Sequence, residues 1–160
     1  EIRLSLVGSE MCIRDRFSAI ANAKEIELIN RIEGKFDIFA DEDMIKTVLR
    51  NLISNAIKFT YTGGQVELSL ADSGDYWTIY VKDNGKGIPK DLQAHLLKSD
   101  EYITTYGTHN EKGSGLGLIL CRDFIRMNKG KLHFYSQEGI GTTFYFTIPK
   151  ASSSAEAVSR

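Results

Sequence analysis

The sequence predicts an α+β fold. Met44, Val48, Leu52 and Ala56 repeat at four-residue spacing beside Ile45, Leu49, Ile53 and Ile57, which makes one broad apolar helical face. Residues 25–40, 65–82 and 131–148 instead hold short segments with the period-two alternation of half-buried strands. A second amphipathic helix follows a long polar segment near residue 114.

The bulk numbers fit one such domain. A chain of 160 residues with 42% hydrophobic and 26% charged content supports one core and not two. A formal net charge of -1 argues against a nucleic-acid surface, so no nucleic-acid partner is expected. Cys12 and Cys121 lie far apart and outside any metal spacing, which speaks against zinc and disulfide and for a cytoplasmic compartment. No apolar run approaches the roughly 20 residues that cross a bilayer. The fragment itself is therefore expected to make no membrane contact, whatever anchor a longer parent carries.

In order, residues 1–16 are irregular: Gly8 and Ser9 interrupt the helical period that leads into Phe17–Lys24. SLVGSEMCIRDR within them resembles the conceptual translation of a sequencing-library adapter, and 1–16 is expected to be a non-native leader to a domain spanning 17–150. Alternation from Glu25, then Gly34 and FDIFA, reads as a strand hairpin. Asp41 is placed to cap a helix that runs to about Phe59, with Glu42 and Asp43 in its first turn, where the helix dipole favours negative charge. Two strands joined at DSGD follow as a meander, then a short helix KDLQAHLLK behind Pro89. Ser99–Lys112 lacks periodicity and reads as a long functional loop or lid. The second helix ends by Gly130, two strands KLHFYS and TTFYFTI close the domain, and 151–160 is a Ser/Ala tail expected to be disordered.

Three clusters carry chemistry. Asn51, Asn55 and Lys58 fall within an arc of roughly 60° at one edge of the apolar helix face. An Asn carbonyl can ligate a hard cation such as Mg²⁺, and Lys can meet phosphate as a point charge; a plain polar waterline is the rival reading. Asp83-Asn84-Gly85-Lys86-Gly87-Ile88-Pro89 follows a strand and reads either as a turn or as an adenine site. In the second reading Asp83 accepts from the exocyclic amine of adenine, and Gly85 and Gly87 let the backbone approach the base. Gly113, Gly115 and Gly117 open a helix whose free N–H groups can hold phosphate, or form a packing turn. The Rossmann fingerprint fails because loop, not strand, precedes these glycines, and the P-loop fails because Lys112 precedes its glycine.

Taken in order, NLISNAIKFT, DNGKGIP, GSGLGLIL and GTTF resemble the N, G1 and G2 boxes and closing strand of the catalytic, ATP-binding domain of sensor histidine kinases. The resemblance covers about residues 17–150 and implies a two-layer α/β sandwich of the Bergerat type, with a mixed, mostly antiparallel sheet and helices on one face. It implies ATP and Mg²⁺ as cofactors, with Asn55 as the metal ligand and Asn51 and Lys58 as catalytic groups that position the phosphates. Asp83 would read adenine, Gly85 and Gly87 would shape the base pocket, Gly113, Gly115 and Gly117 would form the hinge and phosphate end of the lid, and Thr142 would hold a water beside the carboxylate. It implies a histidine-bearing dimerisation domain and a response regulator as partners, in a homodimeric parent.

The wider superfamily includes DNA gyrase, heat-shock chaperone and mismatch-repair ATPases, which usually carry Glu as general base where Asn51 stands. An amide cannot take a proton from water, so hydrolysis is expected to be poor and the γ-phosphoryl kept for another nucleophile. His95, His109 and His133 all lie inside or after the nucleotide elements, so none is the expected acceptor, and the family's phenylalanine-containing box before the lid is replaced by LLKSDEYITTYGT. An anti-sigma-type serine kinase and a nucleotide-dead interaction module are the alternatives on the same scaffold.

Overall fold

The computed structural model describes the backbone of residues 2–97, 108 and 117–151, with side chains from residue 15 onward within those ranges. Five strands form a mixed sheet: β2 (Glu27–Asn30), β4 (Gln65–Ser73), β5 (Tyr76–Asp83), β7 (Gly141–Pro149) and β6 (Leu132–Gln137), in that spatial order. Only β2 and β4 are parallel; every other pair in the sheet is antiparallel. Helices α2 (Glu42–Phe59) and α4 (Gly117–Met127) pack against each other and against this sheet, and α1 (Leu6–Ala23) packs on α2. This is the α+β layered arrangement that the sequence predicts.

The core lies between sheet and helices. Val66, Ile79, Val81, Phe146 and Ile148 alternate along β4, β5 and β7 and are fully buried against Ile45, Val48, Leu52 and Ile53 of α2 and Ile125 of α4. Period two on the strands and period 3.6 on the helices thus meet in one cluster. Asp41 caps α2 as expected, its Oδ1 accepting from the Met44 N–H at 3.0 Å. The β4–β5 hairpin turns at Gly74 (φ 81°), whose N–H donates to Asp72 Oδ1.

The expected β2–β3 hairpin is corrected. β3 (Asp37–Ala40) pairs antiparallel with β1 (Ile2–Ser5) in a separate two-stranded sheet, while β2 joins β4. The intervening residues 31–36 do not make a tight turn: the Arg31 N–H donates to the Leu68 carbonyl, prolonging the pairing with β4. The helix after Pro89 is also shorter than expected, with α3 limited to Lys90–Gln93 and turns continuing to Leu97. At the start, the backbone carries α1 through Gly8 and Ser9, where the apolar period breaks. Two weak helix formers interrupt a pattern without removing the backbone hydrogen bonds, at a cost of about 1 kcal/mol for the glycine. Ala151 is buried against the domain, and the rest of the tail lies outside the described residues.

Candidate functional site

The end of α2 and the polar end of the sheet meet at one place. Asn51, Asn55 and Lys58 stand half-buried on α2, between the buried Leu52, Ile53, Ala56 and Ile57 and the exposed Ser54. The Cys121 thiol of α4 donates to the Val48 carbonyl of α2 at 3.8 Å, and Asn51 Oδ1 lies 3.5 Å from where a Cβ on Gly117 would stand. The first residue of α4 is therefore brought against the α2 polar edge. Cys121 itself is fully buried, which pushes its thiol up to about 12.

Asp83 closes β5 and is 6% exposed. The register sets it opposite Thr142 of β7, which in turn lies opposite Ser136 of β6. Directly paired residues project to the same sheet face, so these three side chains form a polar row on the face that carries the core. Asp83 Oδ1 accepts from the Gly85 N–H at 2.9 Å and the Thr142 N–H at 3.3 Å. Among the described residues nothing donates to Oδ2. Burial pushes the carboxyl up from the ordinary 3.8 to about 6, against the pull of those two N–H groups. A buried acceptor with an unused lone-pair edge is a recognition element for a donor such as an amino group.

Thr142 Oγ1 lies 2.7 Å from Ser136 Oγ, which also accepts from the Ile88 N–H at 2.9 Å and donates to the Gly141 carbonyl at 3.1 Å. With the single Ser136 proton so used, Thr142 is the donor of the pair and keeps its own lone pairs for another partner. Ser136 is a candidate site residue that sequence reasoning missed. Its signal was an inward strand position, in register with Leu132 and Phe134, holding a hydroxyl where an apolar residue was due.

Residues 84–88 wrap between α2 and the β6–β7 turn. A Cβ on Gly85 would lie 2.1 Å from the Phe59 carbonyl oxygen, and one on Gly87 would lie 2.2 Å from the Gln137 carbonyl oxygen at φ +71°, a left-handed conformation. Both glycines are thus required by close approach to the protein's own backbone. The Lys86 N–H donates to the Phe59 carbonyl at 3.0 Å, and the Lys86 carbonyl accepts from Gly139 at 2.7 Å. The Phe59 ring, half-buried, has the Lys58 ammonium 4.8 Å and the Lys86 ammonium 5.2 Å from its centre. Phe59 and Lys86 were also missed; both adjoin residues the motifs did single out.

Gly113 and Gly115 lie outside the described residues, as does His109, and of Ser99–Lys112 only Thr108 is described. His133 stacks on Tyr145 at 5.3 Å on the opposite sheet face from Asp83.

The model of the histidine kinase-, DNA gyrase B-, and HSP90-like ATPase family matches residues 40–152. The adaptive-response sensory kinase SasA of Prochlorococcus marinus is 39% identical over 115 residues, covering 71% of this chain and 30% of that protein. The chain spans only 30% to 37% of the length of four such sensory kinases. The catalytic domain of histidine kinase ThkA, solved nucleotide-free, superposes with a TM-score of 0.77 at 28% identity, covering 93% of this chain and 95% of that one. Histidine kinase ThkA in complex with the response regulator protein TrrA shares the fold at 24% identity, with a TM-score of 0.75 over 95% of this chain and 42% of that one. No helix among the described residues is long and apolar enough to cross a membrane.

Proposed function

Because the chain belongs to the histidine kinase-, DNA gyrase B-, and HSP90-like ATPase family, we propose that it is the ATP-binding catalytic domain of a two-component sensor histidine kinase. It takes the γ-phosphoryl of ATP and transfers it to a histidine on a separate dimerisation domain of a homodimeric, cytoplasm-facing parent, for onward passage to a response regulator. The observation that carries this reading is Asp83: a carboxylate buried in the sheet end, with one oxygen satisfied by Gly85 and Thr142 and the other left without a donor among the described residues.

In this reading the adenine amine donates to Asp83 Oδ2, and Thr142 Oγ1 accepts from a water beside it. A guanine carbonyl at the same place would set acceptor against acceptor, which selects adenine. Phe59 offers an apolar ring face, and Lys58 stabilises negative charge at the phosphates. The Asn55 amide oxygen would hold Mg²⁺, which when bound would neutralise phosphate charge. Gly113, Gly115 and Gly117 hold the phosphate end. Asn51, beside Gly117 at the start of α4, can orient a phosphate oxygen but cannot deprotonate water, so transfer to an imidazole outcompetes hydrolysis. Positioning and charge neutralisation supply most of the catalysis.

Titration with a fluorescent ATP analogue tests the site. Asn55→Ala and Asp83→Asn are each expected to weaken binding by about 1.5 to 3 kcal/mol, the usual cost of a lost charge-assisted contact. Unchanged affinity in both variants would remove the site as described, and no binding by the unaltered chain would favour a nucleotide-dead interaction module. Supplying a histidine-bearing dimerisation domain and an anti-sigma antagonist protein in parallel with labelled ATP then decides the acceptor; label on the antagonist alone would make the chain a serine kinase.

A further inference from the structure

We infer that Lys24, which lies outside every nucleotide motif, is a positioning residue for the phosphate end of the site. The inference rests on the ATP-site reading above. Lys24 follows α1 and is 7% exposed, and its backbone is fixed by hydrogen bonds to the carbonyls of Ile20 and Ala21. Glu25 next to it adopts φ 58° and turns the chain into β2.

The Lys24 ammonium donates to the Ile57 carbonyl at 3.0 Å and to the Lys58 carbonyl at 2.9 Å. These belong to the last turn of α2, whose final four carbonyls have no partner within the helix. All four are satisfied from outside it or from its cap. Ala56 accepts from Thr60 Oγ1 at 2.6 Å, Ile57 from Lys24 and the Thr60 N–H, Lys58 from Lys24 and the Thr108 N–H at 3.1 Å, and Phe59 from the Lys86 N–H. Lys24 thus serves two of the four, and its charge sits at the negative end of the helix dipole.

The geometric consequence lies one bond away. Lys58 and Phe59 project from the residues whose carbonyls Lys24 and Lys86 hold, and Thr108 is seated on the same Lys58 oxygen, with its Oγ1 on the Thr60 carbonyl at 2.8 Å. One ammonium from the residue that follows α1 therefore sets the final turn from which the phosphate-facing Lys58 leaves, and shares an oxygen with Thr108. Asp83 is held by Gly85 and Thr142 and shares no hydrogen bond with Lys24. Loss of Lys24 should disturb recognition of phosphate while leaving recognition of the base intact.

The test is displacement of a fluorescent ATP analogue by ATP and by adenosine from the full chain, in Lys24→Met and Lys24→Arg. Lys24→Met is expected to weaken ATP about tenfold and adenosine by no more than about twofold, and Lys24→Arg, which keeps the charge and donors, to restore most of the ATP affinity. A purely structural role would lower the melting temperature and leave the ratio of the two affinities unchanged; an unchanged ratio in folded Lys24→Met overturns the inference. Should Lys24→Met not fold, Lys24→Gln keeps one donor and is expected to show the same selective loss at about threefold, with an unchanged ratio again overturning it. Failure of the unaltered chain to bind ATP would instead remove the ATP-site reading beneath it.

Discussion

Asp83→Asn separates the energetic cost of the site from its use. In the free protein the carboxyl titrates at about 6 against an ordinary 3.8, so folding takes up a proton between those values. Its contribution to stability is fully present below about pH 4 and is lost as pH rises through 6; by pH 8 the ionised group has withdrawn about 3 kcal/mol. The asparagine keeps one oxygen for the Gly85 and Thr142 N–H groups but brings an NH₂ without a donor's partner, a penalty of about 1 to 3 kcal/mol at every pH. The two effects nearly cancel at pH 8, so the absolute difference there is not diagnostic. The change with pH is. Urea unfolding between pH 4 and pH 8, followed by the fluorescence of Trp77, should show the variant gaining about 2.5 kcal/mol relative to the parent, because all other carboxylates titrate alike in both. A difference that stays flat across that range would refute the account of Asp83 as a desolvated, uncompensated charge. Nucleotide adds a second arm with opposite sense. An amine donor favours the carboxylate, so ATP affinity should fall as pH drops below about 6 in the parent and lose that component in the variant.

Three further outcomes follow from packing. Gly87→Ala meets the Gln137 carbonyl and a left-handed backbone together and should destabilise by at least about 2 kcal/mol, whereas Gly34→Ala, with φ 75° but open space, should cost about 1; equal losses in thermal melts would contradict the close approach. Asp41→Ala removes the α2 cap and should cost about 1 kcal/mol in the same melts, with Asp41→Ser recovering most of it. In a Cys12→Ser background, Cys121 should resist an aromatic disulfide reagent at pH 8 until urea unfolds the chain, since burial both hides the thiol and keeps it protonated; rapid labelling of the folded protein would sink that reading.

What the sequence disclosed and what it hid divide along local and non-local lines. α2 was legible because three independent local signals agree on it: a four-residue apolar repeat, a capping Asp41 and acidic residues in the first turn. The β4–β5 hairpin was legible because Asp72 and Gly74 build its turn from adjacent residues. β2 and β3 were found as strands but paired wrongly, because the partner of β2 lies beyond α2 and a parallel pairing leaves no mark in the residues between. The polar row of the site shows the same split. Asp83 was legible from its glycines, but its alignment with Thr142 and Ser136 depends on the register of three strands, and the ammonium of Lys24 reaches α2 carbonyls 33 and 34 residues away.

The glycines and the carboxylate of the same motif carry unequal weight as signs of function. Gly85 and Gly87 are demanded by the Phe59 and Gln137 carbonyls whether or not a nucleotide ever arrives, so a protein using this scaffold only for docking would still need them. Asp83 is the reverse case. It packs beside buried apolar strands, no cation stands among the partners that shift its titration, and an ionised carboxylate there opposes folding. Near neutral pH its charge gives the fold nothing that a neutral residue of similar shape would not, and a ligand that donates to it is what the charge suits. Asp83 is therefore the motif residue that speaks for adenine binding, because the packing does not require its charge, and a docking module on this scaffold would be expected to lack it.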